Sequence, residues 1–250
     1  MRNILVYVEA AEGKAKNVGL EILTPAKVAA EGGEVIAAVF GKDVAEAAKQ
    51  AIAFGADKAV VVDGAQYEVY NTDVYANALC ELVKKYAPKA VFVGATADGK
   101  DLAGKAAAKC GSGVVTNVTG VAVDGDKIVY TSPVYAGGIL NDDVCESEIE
   151  FALLRSGAFK KAEADEAKAG EVITEAIECP ADAIRTKVVD IVKEISETVN
   201  LEEADVIVAG GRGVGSAENF AILQELADAL GGVIGATRAP IEAGWISRAY

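Results

Sequence analysis

Ala204-Asp-Val-Ile-Val-Ala-Gly-Gly-Arg-Gly-Val-Gly-Ser-Ala-Glu-Asn-Phe220 is the stretch from which the rest of the chain is read. Ala204 to Ala209 is a short apolar run rich in Val and Ile, the pattern of a strand buried on both faces. Gly210, Gly211, Gly213 and Gly215 then surround Arg212. Beyond Ser216, the residues Phe220, Leu223, Ala227 and Leu230 recur at helical spacing, and Ile222 and Leu226 widen the stripe. Ser216 suits the N-cap, Glu218 suits the positive end of the helix dipole, and Gly231-Gly232 supply a stop. Strand, glycine turn and helix together predict backbone amides facing a phosphate, with Arg212 bringing a fixed charge. A tight βα turn without a ligand explains the same glycines equally well. The dinucleotide fingerprint G-x-G-x-x-G fails at its third glycine, where Ser216 stands, and no acidic residue closes a following strand.

Outward from this stretch, composition narrows the function classes. The 250 residues are 52% hydrophobic, enough for one large core or two modest ones. The formal net charge is −14, with no histidine. So acidic a chain lacks the basic footprint that nucleic acid or an anionic membrane surface requires. The acidity gives solubility or a surface for docking basic partners. Without histidine there is no imidazole base or metal ligand. Cys80, Cys110, Cys145 and Cys179 are widely spaced with no C-x-x-C, which predicts no metal site and free thiols in a reducing cytoplasm. Met1 to Val8 reads as a first strand, with no signal peptide and no apolar run long enough to insert in a membrane.

Upstream, strands are predicted over 3–9, 34–40, 58–63 and 90–94, alternating with helices over 24–32, from Val44 to Gly55, and from Thr72 to Pro88. Thr24 is the expected cap of the first helix, with Pro25 following. Such βα alternation predicts an α/β fold with a mostly parallel sheet. Ala95 to Asp101 reads as a loop before a helix over 102–109, either facing a ligand or simply turning the chain. Beyond Gly113 the pattern changes to strands over 118–123, 127–131, 134–140 and 145–154, with Asp124-Gly-Asp126 marking a hairpin. Residues 157–170 read as a loose loop or linker. Residues 184–195 fit strand or helix, and a strand is the preferred reading.

Several separated motifs carry a resemblance. Gly210-Gly-Arg-Gly213, Ser216-Ala-Glu-Asn-Phe220, Gly235-Ala-Thr-Arg-Ala239 and Glu242-Ala-Gly-Trp245 together resemble the start of the FAD-binding domain of electron-transferring flavoprotein α subunits. Gly94-Ala-Thr-Ala-Asp-Gly-Lys-Asp-Leu-Ala103 and Ser132-Pro-Val-Tyr-Ala-Gly-Gly138 look like segments of that family's N-terminal domain. The resemblance implies a Rossmann-like, mostly parallel sheet flanked by helices, with added antiparallel strands, over 1–196. An incomplete second α/β unit of flavodoxin-like, FAD-binding type is implied over 197–250, so that the chain alone is expected to hold no stoichiometric FAD.

The resemblance also implies a heterodimer with an electron-transferring flavoprotein β subunit. Electrons would come from an acyl-CoA dehydrogenase or similar redox partner, or be bifurcated from NADH, and pass on through FAD. Such a subunit carries electrons and turns over no substrate, so no catalytic residues are expected. Gly211, Arg212, Gly213, Ser216, Thr237 and Arg238 match positions that contact the cofactor, with Arg238 beside the flavin ring. A cation about 4 Å from the ring at an effective dielectric near 20 is worth roughly 4 kcal/mol, on the order of 100–200 mV. Outside the family, Arg238 reads as a surface residue paired with Glu242. Arg155 matches an arginine that approaches a second flavin in bifurcating members, and a structural ion pair is its other reading. Tyr135 and Trp245 could stack on something flat or pack in a core or interface. Two other classes remain open, an adenine-nucleotide-binding regulatory module and a cofactor-free interaction scaffold.

Overall fold

The computed structural model of the chain describes residues 1–191, 201 and 204–247. They divide into two compact units, Met1–Val189 and Asp190–Tyr250. The 196/197 boundary expected from the sequence lies outside the described residues.

In chain order the first unit runs β1 (Ile4–Tyr7), β2 (Ala10–Ala11), β3 (Lys14–Ala15), α1 (Asn17–Glu21), α2 (Leu23–Ala30), β4 (Val35–Gly41), α3 (Ala45–Ala53), β5 (Lys58–Asp63), α4 (Thr72–Tyr86), β6 (Ala90–Gly94) and α5 (Ala97–Lys109). It continues with β7 (Val114–Val118), β8 (Gly120–Asp124), β9 (Lys127–Val134), β10 (Ile139–Val144), β11 (Glu150–Leu154) and β12 (Glu171–Thr174). Seven of these strands form one sheet, ordered β12-β5-β4-β1-β6-β11-β7, and every pairing in it is parallel. An antiparallel sheet, β10-β9-β8, accompanies it.

The two-residue period of a strand sorts the apolar residues into two cores. On β1, Ile4 and Val6 join one cluster while Leu5 and Tyr7 join the other. The same division separates Ala37 and Val39 from Ile36 and Phe40 on β4, and Phe92 from Val91 and Val93 on β6. The first cluster is covered by α1, α2, α3 and the β8–β9 hairpin, whose Tyr130 meets Phe92 edge-on at 6.1 Å. The second is covered by α4, α5 and Tyr67. Residues buried on both faces explain why these strands read as unbroken Val/Ile runs.

Local signals set the helix ends. The Asn71 side chain accepts from the amides of Asp73 and Val74 to start α4. Ala87 in the left-handed region stops it one residue before Pro88. Thr24 is not a cap, because α2 begins at Leu23 directly after α1, and the Thr24 hydroxyl donates to the Lys160 carbonyl instead. The expected loop 95–101 is largely the first turn of α5, since the Thr96 side chain accepts from Gly99 N and starts the helix at Ala97. The strand expected over 134–140 is broken by a turn at residues 135–138 between β9 and β10, where Tyr135 and Ala136 take positive φ and Gly137 follows. The strand expected over 145–154 starts only at Glu150, and it inserts parallel between β6 and β7.

Residues 157–170 are a loop, as one of the two readings expected, and they lie within the first unit rather than linking two units. They strap the first unit, with Asp165 N donating to the Ala53 carbonyl and Lys168 Nζ reaching the Gly55 carbonyl and Asp57. The strap delivers β12 to the outer edge of β5. After β12, Asp73 holds the chain again: it accepts from Arg185 N at 2.8 Å and Arg185 Nη2 at 3.2 Å, and it also pairs with Lys105. Residues 184–191 form neither strand nor helix, and 192–195 lie outside the described residues.

The second unit contains β13 (Ile207–Gly210), α6 (Phe220–Leu230), β14 (Val233–Ala236) and α7 (Arg238–Glu242), with β13 and β14 parallel. Gly210 lets α6 lie close on its strand, for a Cβ there would sit 2.6 Å from the Phe220 ring and 2.7 Å from Leu223. Phe220, Ala227 and Ile234 are buried, while Ile222, Leu226 and Leu230 are exposed.

Candidate functional site

Because β13 and β14 are parallel, their carboxyl ends emerge side by side, with Gly210 paired to Ala236. Thr237 N donates to the Gly210 carbonyl at 2.9 Å and extends the match by one residue. The glycine turn and the Thr237-Arg238 pair therefore share one edge, the position where open parallel sheets take ligands. Gly211 faces the Thr237 hydroxyl, which a Cβ at Gly211 would meet at 3.6 Å, and a Cβ at Gly213 would meet nothing within 4 Å. The edge is thus open enough for close approach.

Arg212 begins a single 3-10 turn over Arg212–Val214, closed by Val214 N to the Gly211 carbonyl and Gly215 N to the Arg212 carbonyl. Gly215 needs its glycine, since its φ of +86° belongs to the left-handed region. Asn219 Nδ2 donates to the Val214 carbonyl at 2.7 Å and fixes the turn against the helix start. Arg212 and Gly213 are exposed, and Gly211 and Ser216 are half-buried.

Ser216 does not cap α6. The helix starts at Phe220, after Asn219, and its first amides bond back to the carbonyls of Ala217, Glu218 and Asn219 in a tight lead-in. Ser216 acts on Glu218 instead, and a hydrogen bond from its hydroxyl holds that carboxyl below its ordinary range. The expected row of helix-start amides facing a phosphate is consequently not formed at residues 220–222. What the edge offers is a bare turn, two guanidinium groups and two hydroxyls. Arg238 Nε meets Glu242 Oε1 at 2.6 Å along α7, the pairing the sequence allowed, and its side chain is 88% exposed.

Arg155 lies in the first unit, where β11 ends, and its amide donates to the Val118 carbonyl. It lines a cleft of about 720 Å³ with Lys100, Gly104, Thr116, Asn117 and Ser156. This cleft lies at the carboxyl ends of β6, β11 and β7 beside α5, and its volume is in the usual range for small-molecule sites. Tyr135 does not pack into a core; it stands 84% exposed at the β9–β10 turn.

The other crevice of the first unit, between the carboxyl ends of β1 and β6, holds a carboxylate. Buried Glu9 accepts from the Thr96 hydroxyl at 2.7 Å and pairs with Lys16. Val18 packs so closely on Gly94 that a Cβ there would sit 2.6 Å from it. A buried anion where the sheet changes direction disfavours a phosphate and argues against the adenine-nucleotide module. Glu9 carried no signal in the sequence, since only the topology brings it to Thr96. Among the described residues, no helix is long and apolar enough to cross a membrane.

A parallel α/β protein with a glycine turn and two arginines on one sheet edge has the layout of α/β proteins that take a cofactor at the ends of their strands. Comparison with known proteins narrows this. The electron transfer flavoprotein domain matches residues 4–178, and the electron transfer flavoprotein FAD-binding domain matches residues 200–250. The electron transfer flavoprotein subunit alpha of Thermoanaerobacterium thermosaccharolyticum is 39% identical over 98% of this chain and 76% of its own length. That of Megasphaera elsdenii is 41% identical over 98% of the chain and 75% of its length. The acryloyl-CoA reductase electron transfer subunit beta of Anaerotignum propionicum is 31% identical over 98% and 76%. The chain belongs to the electron transfer flavoprotein α-subunit family, and its function is electron transfer.

Proposed function

We propose that the second unit holds FAD, with Gly211, Arg212, Gly213, Ser216, Thr237 and Arg238 as this chain's share of the site. The observation that carries this reading is the adjacency of the glycine turn to Thr237-Arg238 at the ends of two parallel strands. When bound, the flavin supplies a centre that accepts and releases electrons. Gly211 and Gly213 keep side chains out of its way. Arg212 offers a planar fork suited to phosphate oxygens. Ser216 and Thr237 present hydroxyls, and Arg238 favours added negative charge on a ring beside it. Arg155 and Lys100, which line the cleft of about 720 Å³, would approach a second flavin held mainly by the β subunit.

The family's subunit naming supports a β subunit as the other half of a heterodimer. A relative named for acryloyl-CoA reductase supports a redox enzyme of the acyl-CoA dehydrogenase type as electron partner. The net charge of −14 suits docking on a basic face of such an enzyme, in the cytoplasm.

The test compares two arginines in the heterodimer. Arg238 is exposed and paired with Glu242, so its charge acts at a dielectric near that of water. There a charge at about 4 Å is worth about 1 kcal/mol, or roughly 40 mV. Arg238→Ala should therefore lower the flavin midpoint potential by tens of mV with little loss of flavin, and Arg238→Lys should restore most of it. Arg212→Ala should release flavin while leaving the potential near wild type. Equal potentials in wild type and Arg238→Ala, or extraction of FMN in place of FAD, would overturn the assignment.

A further inference from the structure

Away from both clefts, two thiols meet. Cys80 on α4 and Cys110, the residue that ends α5, have Sγ atoms 3.6 Å apart. Both line a cleft of about 460 Å³, together with Asn77, Glu81, Lys84 and Lys109. Cys80 is buried, with its Sγ 3.7 Å from the Ala106 carbonyl, whereas Cys110 is half-buried at a helix end. The remaining cysteines stand apart. Cys179 is buried and directs its thiol to the Asp73 carbonyl, and burial pushes both Cys145 and Cys179 thiols up.

Three groups around the pair carry charge: Glu81 and Lys84 on α4, ion-paired at 2.7 Å, and Lys109 on α5. The Cys110 thiol donates to Cys80 Sγ, and this contact between the two sulfurs, with Lys84 and Lys109 nearby, pulls the Cys110 thiol below its ordinary value against the cost of burial. The same hydrogen bond, followed by burial, drives Cys80 upward. One sulfur is thus the more accessible nucleophile and the other a buried resolving thiol, the arrangement found in redox-responsive pairs.

We propose that Cys80 and Cys110 form a reversible dithiol that a small disulfide of the glutathione class oxidises to a cross-link between α4 and the end of α5. The Cys110 thiolate attacks one sulfur of the small disulfide, whose S–S bond breaks and expels one thiolate. Cys80 loses its proton and attacks Cys110 Sγ, and the second small thiolate leaves. Both small thiolates are protonated in water, so two protein thiols are oxidised and one small disulfide is reduced to two thiols. Closing the gap to a bond of about 2.05 Å asks for a shift of roughly 1.5 Å. The Cys110 side chain, at the last turn of α5, can supply it.

The full chain is incubated with oxidised glutathione at pH about 8, alkylated, digested and weighed by mass spectrometry. The expected product is a Cys80–Cys110 cross-linked peptide without attached glutathione, with Cys145 and Cys179 not joined to it, and dithiothreitol should reverse it. In Cys80→Ser the reaction should stop with glutathione on Cys110. In Cys110→Ser, Cys80 should stay free of glutathione. The wild-type rate should rise with pH and level off below the range of an ordinary free thiol, because its neighbours lower the Cys110 thiol. Persistent glutathione on wild-type Cys110, alkylation of all four thiols after prolonged exposure, or a rate still climbing steeply beyond about pH 9 would each overturn the proposal. Because wild type gives the primary readout, a variant that fails to fold leaves the test intact.

Discussion

The first unit and the second start from the same strand–turn–helix unit, and they part in how its faces are covered. In the first, α1 to α3 lie over one face of a seven-stranded sheet and α4 and α5 over the other, so Ile4 and Leu5 are both fully buried. In the second, one helix packs on two strands, Ile207 stays exposed, and half of the α6 apolar stripe faces outward. A parallel strand has no solvent face to spare, so its stability depends on the layers above and below it. The difference shows why identical sequence grammar yields a self-sufficient core in one place and an open edge carrying arginines in the other.

The largest test of that contrast lies in the first unit. Phe92 is fully buried and meets Tyr130, so Phe92→Ala should cost about 3–5 kcal/mol, read as far-UV circular dichroism through a urea titration. A loss under roughly 1 kcal/mol would mean that the core relaxes around the gap and that the contrast is overstated.

A middle-sized effect is expected where Asp73 clasps Arg185, in the segment that follows β12. Hydrogen bonds from Lys105 and from the Arg185 amide hold the Asp73 carboxyl well below the usual carboxylate range. Stability from a depressed carboxylate is complete above its unfolded value, near ~4, and is lost as pH falls through the native one. Asp73→Asn should therefore cost about 1–3 kcal/mol at neutral pH. The gap to wild type should narrow as pH drops below ~4. A gap that stays constant would assign the effect to packing rather than charge.

The smallest effect is expected on α6. Leu226 is 50% exposed, so Leu226→Ala should cost no more than about 0.5 kcal/mol. Trp245, the chain's single tryptophan, reports on this unit by fluorescence. A loss beyond about 2 kcal/mol would show that this face is covered in solution and would erase the contrast.

Much of the fold was legible because parallel strands buried on both faces leave unbroken Val/Ile runs. β5 at Lys58–Asp63, α4 at Thr72–Tyr86, β6 at Ala90–Gly94 and β14 at Val233–Ala236 carry apolar periodicity and explicit stop residues, and they form as expected. Partner choice was not legible. The β11 run alternates like a half-exposed strand, yet it lies buried inside the sheet, flanked by β6 and the edge strand β7, because register depends on what arrives from elsewhere in the chain. The same holds for caps. Ser216 and Thr24 have the right chemistry, but Ser216 bonds Glu218 and Thr24 bonds Lys160, since tertiary partners compete with the local amides. The residues of the candidate site were named by the family resemblance, since glycine spacing alone suits a plain βα turn equally well. The site's geometry, with Gly211 against Thr237, follows from a strand pairing that no single motif contains.

The placement of β12 has a consequence for how the chain is made. Glu171 pairs with Lys58, so the edge of β5 waits for a partner synthesised roughly 110 residues later. At ribosomal speeds of about 5–20 residues per second, that wait lasts on the order of 5–25 seconds. During it, Val60-Val61-Val62 presents open backbone to every other nascent chain nearby. Lys58, held by Glu34 at the start of the strand, is the charge that guards this border until the strap arrives.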